Sequence, residues 1–228
     1  MSIIYPKVEL HVHLDCCLSF EVAKKLRPKI TKDVFCKKFI GSSCSCLKDY
    51  IKCADNAVDL MQTKEELELV TIDLFNQLRS DNVLYVEIRF APLLHTNKGL
   101  SADEVVNIIS KITFKQSKST GIQAGLILCT LRHYSKSQSM ETVQLVDKNR
   151  NKNIVGFDIA ADEAGYPLDN HIDAFKFAAQ NKIFCTAHAG EALGYKSVSD
   201  TLKLIKPSRI GHGVRSIENE TLLNKLKR

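Results

Sequence analysis

Six short apolar runs recur along the chain: "KVELHVHL", "NVLYVEIRFAP", "AGLILCTLRH", "NIVGFDIAAD", "IFCTAHAG" and "SRIGHGV". Each is rich in β-branched or aromatic residues, as buried strands are. Between them the period becomes helical. Ser101 and Glu104 make the pattern of a capping box, and Val105, Val106, Ile109 and Ile112 then share one face. Ser197 with Asp200 is a related start, with Val198, Leu202 and Ile205 as the apolar stripe and Pro207 as the stop. Asp169 is positioned to cap "HIDAFKFAAQNK", "SMETVQLVDKNR" has the same period, and "EELELVTIDLFNQLRSD" is the longest amphipathic run. Strand and helix alternating at this spacing require parallel pairing with right-handed crossovers, so the class is α/β. The insert from roughly residue 18 to 80 reads as mostly helical, with extra helices before the first crossover closes.

Two architectures satisfy that pattern, an open doubly wound sheet and a (β/α) barrel. The first strand runs into "HLDCCLSF", which has no glycine, so the dinucleotide-binding turn of the open sheet is missing. A barrel instead draws functional side chains from the C-terminal ends of several strands. Here His11, His13 and Asp15 follow the first strand, and Glu87 and Arg89 lie in the second. Arg132 and His133 follow the third, Asp162 and Glu163 the fourth, His188 and Glu191 the fifth, and His212 the sixth. The expectation is a TIM-type (β/α)8 barrel, incomplete with about six of eight strands present, forming a single domain over residues 1–228.

Residues i and i+2 of a strand share a face, so His11 and His13 point the same way from one strand end. Two neutral imidazoles aimed at a barrel mouth suit a divalent transition metal, and zinc is the ordinary occupant of a nitrogen and oxygen site prepared for hydrolysis. His188, in the glycine-flanked "HAGEALG", supplies a third ring. Glu191 just beyond it is placed as a general acid or base, and His212 as a second proton-handling group. Glu87 and Arg89 alternate with apolar neighbours and read as a buried or rim ion pair. Asp162 and Glu163 read as residues that order the mouth, and Cys16 and Cys17 as packing residues.

Composition narrows the partners. The net charge of +6 is spread over short clusters such as Lys24-Lys25 and Lys37-Lys38, with no tryptophan and no basic block interleaved with aromatics, so nucleic acid is not an expected partner. No apolar run is long enough to cross a bilayer, and the N-terminus lacks a basic region followed by an apolar core. The expectation is a cytoplasmic protein with no membrane partner. The 8 cysteines show no regular framework, which favours free thiols in a reducing compartment. The run "CKKFIGSSCSCLKDYIKC" has Cys-x-Cys spacing, not the paired Cys-x-x-Cys of a structural zinc site.

With "VELHVHLD", "YVEIRFAP", "ILCTLRH", "GFDIAADE", "TAHAGE" and "RIGHG" in this order, the chain resembles the adenosine deaminase family of the amidohydrolase superfamily of metal-dependent hydrolases. The ordered set H-x-H-x-D, H-A-G-E and G-H-G carries the resemblance, which covers nearly the whole chain. It implies zinc-dependent hydrolytic deamination of adenosine or 2′-deoxyadenosine to inosine or 2′-deoxyinosine with release of ammonia, a purine salvage step, with one zinc ion per chain. By the same resemblance His11, His13 and His188 bind zinc, Glu191 protonates the purine N1 as C6 is attacked, and His212 orients or deprotonates the water. Asp15 hydrogen-bonds the ribose, His13 also touches the substrate, and Ala161 approaches the purine through its backbone. Attack on C6 pushes electrons onto N1, so a proton donor there favours the transition state.

The family usually has glycine where this chain has Cys16, and commonly also where it has Ala161. Relatives continue through two more strands and carry adjacent aspartates, one a zinc ligand and the other a partner for the purine N7. This sequence has no Asp-Asp pair. It therefore reads as a truncated member lacking the C-terminal strands. An unclosed barrel leaves strand edges unpaired and apolar interior exposed, so self-association through the open edge is expected alongside the small-molecule purine nucleoside. Two rival readings stand beside this one: a related deaminase of adenine, AMP or an N6-substituted nucleotide, and an inactive metal- or purine-binding remnant. A dinuclear amidohydrolase is disfavoured because "DIAADEAG", at the end of the fourth strand, has no lysine to bridge two metals.

Overall fold

The computed structural model describes residues 5–227; residues 1–4, part of the N-terminus read above for a leader, and residue 228 lie outside the described residues. In chain order the elements are β1 (Lys7–His13), α1 (Phe20–Leu26), α2 (Lys32–Lys38), α3 (Leu47–Val58), α4 (Lys64–Ser80), β2 (Val83–Phe90), α5 (Ala102–Thr120) and β3 (Gln123–Leu131). They continue with α6 (Lys136–Lys148), β4 (Ile154–Ala160), α7 (Ile172–Gln180), β5 (Thr186–Ala189), α8 (Tyr195–Leu204), β6 (Arg209–His212) and α9 (Glu220–Leu226). β1 to β4 are hydrogen-bonded in chain order, and β5 pairs with β6. A parallel bridge between Phe157 and Cys185 joins β4 to the segment leading into β5. The order never reverses, so there is no switch point of a doubly wound sheet. The fold is α/β with parallel strands, a partial TIM-type barrel of about six strands.

The chain divides into two compact units, Met1–Ile127 with Asn149–Ile154, and Leu128–Lys148 with Val155–Arg228. In the first, the 18–80 insert is helical as expected, with α1, α2, α3 and α4 all lying between β1 and β2. Helix α4 opens with a capping box: Thr63 Oγ1 accepts from the Glu66 N–H at 3.3 Å, and Glu66 Oε2 accepts from the Thr63 N–H at 2.9 Å. Helix α5 opens with the expected box at Ser101 and Glu104 and closes at Gly121, whose φ of 78° is the left-handed conformation glycine adopts freely. At 19 residues it is longer than α4, at 17, which the amphipathic pattern had ranked first. Leu67, Val70, Leu74 and Phe75 of α4 and Val105, Val106 and Ile109 of α5 are buried. Each side chain of this kind contributes roughly 1.5–3 kcal/mol by leaving water.

β1 departs from the buried strand that its alternation suggests. Val8 is 63% and Leu10 43% exposed. The strand stands at one end of the sheet order, where pairing and cover are incomplete. Its middle is tied down by Arg89 of β2, a buried residue whose Nη2 donates to the Leu10 carbonyl at 2.7 Å. Glu87 accepts from the Tyr85 hydroxyl at 3.2 Å.

In the second unit every residue of β5 is buried, as is nearly all of β4, the mark of strands covered on both faces. The Phe157 and Phe175 rings lie 4.8 Å apart, and Ala189, Val198 and Leu222 form a further core against Tyr195, Leu202 and Ile210. Two helix starts differ from the sequence pattern. Helix α8 begins at Tyr195 behind Gly194, so Ser197 lies inside it, and the Ser197 hydroxyl donates to Glu163. Helix α7 begins at Ile172 after a 3-10 turn at Asp169–His171, and Asp169 does not cap it. The turn is set by the buried His171 ring, held 3.1 Å from both Ser139 Oγ and the Arg132 carbonyl. Among the described residues no helix is long and apolar enough to cross a membrane.

His95 gives the first unit a pH dependence. Its ring is fully buried with Nδ1 2.9 Å from the Met61 carbonyl, and burial pushes its pKa from 6.5 down to about 4. The unfolded chain takes up this proton first, so the contribution is complete above pH 6.5 and is lost as pH falls toward 4. Urea unfolding is expected to show about 2 kcal/mol lost from this group between neutrality and about pH 5. The His95→Leu variant should lack that component, and equal pH slopes in the two proteins would contradict the assignment.

Candidate active site

At the end of β1 the structure brings His11 and His13 together, with ring centroids 5.4 Å apart and planes tilted by 50°. This is the shared face that the i, i+2 spacing requires. His13 Nδ1 is 3.8 Å from Asp15 Oδ1, and Asp15 is buried in a 3-10 turn at Leu14–Cys16. Cys16 Sγ is 3.9 Å from the same carboxylate oxygen. Burial pushes the Cys16 and Cys17 thiols up, with Asp15 adding to the effect, so both are neutral near pH 7 and pack as small apolar groups.

In the second unit, β5 delivers a buried His188 whose Nδ1 is 3.1 Å from Oδ2 of Asp158. Asp158, on β4, is fully buried and lies 3.5 Å from Cys129 Sγ. A carboxylate beside Nδ1 favours the Nδ1–H tautomer and leaves the Nε2 lone pair for another partner. Parallel pairing sets His188 against Gly211 and Ala189 against His212. The His188 and His212 rings consequently approach to 5.1 Å, and His212 Nε2 lies 3.4 Å from Glu191 Oε2. His188, Glu191 and His212 are thus gathered within one unit. Burial pushes the Glu191 carboxyl up; His188 opposes the shift and the charge of Glu163 adds to it. A carboxyl raised in this way is a better proton donor near neutrality.

Two neighbours lie outside the residues assigned a catalytic, metal or substrate role from the sequence. Asp158 had one available signal, a charge inside the otherwise apolar strand "IVGFDIA". Glu163 reads from the sequence as ordering the mouth, with a direct catalytic role left open. Its carboxylate accepts from the backbone N–H groups of Gly190, Glu191, Ala192 and Leu193. Burial alone would raise its pKa, but the Ser197 hydroxyl and these N–H groups hold it below the usual carboxylate range. Ala161, just past β4, has a φ of 77°, a left-handed conformation that favours glycine.

Residues 6–228 match the family model described as adenosine deaminase. The adenosine deaminase of Clostridium acetobutylicum is 34% identical over 226 residues, covering 96% of this chain and 67% of that protein. Among solved structures, the adenine deaminase of Arthrobacter aurescens has a TM-score of 0.85 at 22% identity, covering 96% of this chain and 68% of that one. An amidohydrolase of Burkholderia ambifaria with bound Zn has a TM-score of 0.84 at 21% identity, with coverages of 97% and 62%. Arabidopsis ADAL complexed with IMP has a TM-score of 0.83 at 24% identity, with coverages of 97% and 68%. At these identities the structures establish likeness of fold. The chain spans from 57% to 69% of the length of the curated relatives it matches.

The Ala161→Gly change removes a Cβ from left-handed backbone and is expected to stabilise the fold by about 1 kcal/mol. Calorimetry should record a Tm rise of roughly 2–4 °C. A lower Tm would show that this position is not strained.

Proposed function

The chain belongs to the adenosine deaminase family, and on that premise we propose that it catalyses zinc-dependent hydrolytic deamination of adenosine or 2′-deoxyadenosine, releasing ammonia and leaving inosine or 2′-deoxyinosine. The observation that carries the reading is the Glu191–His212 pair at 3.4 Å beside the His188 ring. Hydrolysis at C6 needs one proton delivered to N1 and another removed from the attacking water. Glu191, with its carboxyl pushed up by burial, donates to N1. His212 takes up or steers the proton of the water. Asp15 accepts from a ribose hydroxyl, His13 contacts the nucleoside, and the backbone at Ala161 meets the purine.

For the metal, the reading takes His11, His13 and His188 as three imidazole donors, the set that the family resemblance implies. Zinc suits such nitrogen ligands, and Asp158 beside His188 Nδ1 is the kind of outer partner that fixes a ligating imidazole. Bound there, zinc supplies an acidified water near neutral pH. Cytoplasmic residence is part of the same reading, supported by the absence of any disulfide among the eight cysteines, all of which are free.

Three measurements test this. Purified protein is expected to contain one zinc ion per chain, lost in His11→Ala and in His188→Ala; unchanged metal content in both variants would overturn the ligand assignment. Glu191→Gln should keep its zinc while ammonia release falls by about 10²–10⁴-fold. In a panel of adenosine, 2′-deoxyadenosine, adenine and AMP, the nucleosides should turn over fastest, and a preference for adenine or AMP would replace the substrate proposed. The exposed Val8 and Leu10 on β1 also support association between copies. Replacing both with lysine should lower the mass seen in concentrated sedimentation runs, and an unchanged mass would remove this edge from consideration.

A further inference from the structure

We propose that Glu163 and Arg132 are positioning residues, Glu163 gripping the 190–193 loop and Arg132 the end of β5 that leads into it, and so aim the Glu191 carboxyl; this rests on the reading of Glu191 as the proton donor. Four consecutive peptide N–H groups converge on one side chain. Glu163 Oε1 accepts from Gly190 at 2.7 Å, while Oε2 accepts from Glu191 at 3.0 Å, Ala192 at 2.7 Å and Leu193 at 3.0 Å. Successive N–H groups turned inward in this way form an anion nest, here filled by the protein's own carboxylate. The Ser197 hydroxyl brings a fifth donor to Oε1. A carboxylate has about four lone-pair sites, so this one is saturated. It has no acceptor capacity left for a substrate, which excludes direct participation in the chemistry.

The end of β5 that leads into the loop is held by a cation. Arg132, buried at the end of β3, donates from Nη2 to the His188 carbonyl at 3.0 Å and from Nη1 to the Tyr166 carbonyl at 3.4 Å. Glu163, itself only 2% exposed, supplies the nearby counter-charge together with Asp158. An ionised group this deeply buried persists only where hydrogen bonds and opposite charge replace water. Gly190 makes the turn possible, since its φ is +71° and a Cβ there would come within 2.6 Å of Val198 Cγ2. With the peptide on each side of Glu191 fixed, its side chain leaves the loop in the direction that brings Oε2 to His212.

The test uses Glu163→Gln, which keeps the shape but turns one acceptor oxygen into a donor facing N–H groups. Hydrogen exchange on the metal-free protein is expected to quicken by about 10-fold or more at the amides of residues 190–193, with the amides of β4 and β5 unchanged. In zinc-loaded enzyme, kcat should fall by about 10–100-fold with KM within about two-fold and zinc content retained. A residue serving stability alone would lower Tm and speed exchange across the unit without that split. Unchanged exchange at residues 190–193 overturns the brace, and faster exchange with unchanged kcat overturns its positioning role. Wild-type protein that releases no ammonia while the variant still loosens this loop would overturn the deaminase reading and leave the brace standing. If Glu163→Gln does not fold, Ser197→Ala, which removes one donor, should loosen the same four amides to a smaller degree, and Arg132→Lys should lower kcat without releasing zinc; failure of both overturns the proposal.

Discussion

A strand paired in parallel with the one before it obliges the chain to travel back the whole length of the sheet before the next strand starts. That single requirement sets most of what this protein has in common with other α/β chains. It places a helix in every gap, gives each helix one apolar face to bury, and makes the short link after each strand the place where polar side chains need no core partner. Polar residues accordingly collect at and just past strand ends: Asp15 after β1, Glu163 after β4, Glu191 after β5 and His212 at the end of β6. The strands themselves are left free to be apolar on both faces, as β4 and β5 nearly are.

Within that frame, environment rather than residue type divides the labour between two carboxyl groups. Glu191 and Glu163 are both drawn out of water, yet burial raises the first while a saturated set of donors lowers the second. The outcome is one group suited to giving up a proton and another that stays a fixed anion. Asp158 is placed differently again, fully buried with Oδ2 3.1 Å from His188 Nδ1. Three acids of one unit are therefore distinguished by what surrounds them.

How much of this was legible beforehand follows from the range of each interaction. The Ser101–Glu104 box was readable because its partners are three residues apart and compete only with each other. The Ser197 start was misread because its hydroxyl is claimed by Glu163, 34 positions away. Asp169 was misread because a buried histidine, not an aspartate cap, shapes the turn into α7. The alternation of β1 correctly put two imidazoles on one face but overstated burial, since an edge position is a property of the sheet and not of the strand's own residues. The left-handed backbone at Ala161 was foreshadowed only by resemblance to a family that commonly has glycine there.

The account depends on imidazoles, and not the many thiols, being the groups that take a metal. X-ray absorption at the zinc edge of the purified protein asks this directly. The account predicts a nearest shell of nitrogen or oxygen at about 2.0–2.1 Å, with the multiple scattering of three imidazole rings. A shell dominated by sulfur at about 2.3 Å would contradict it.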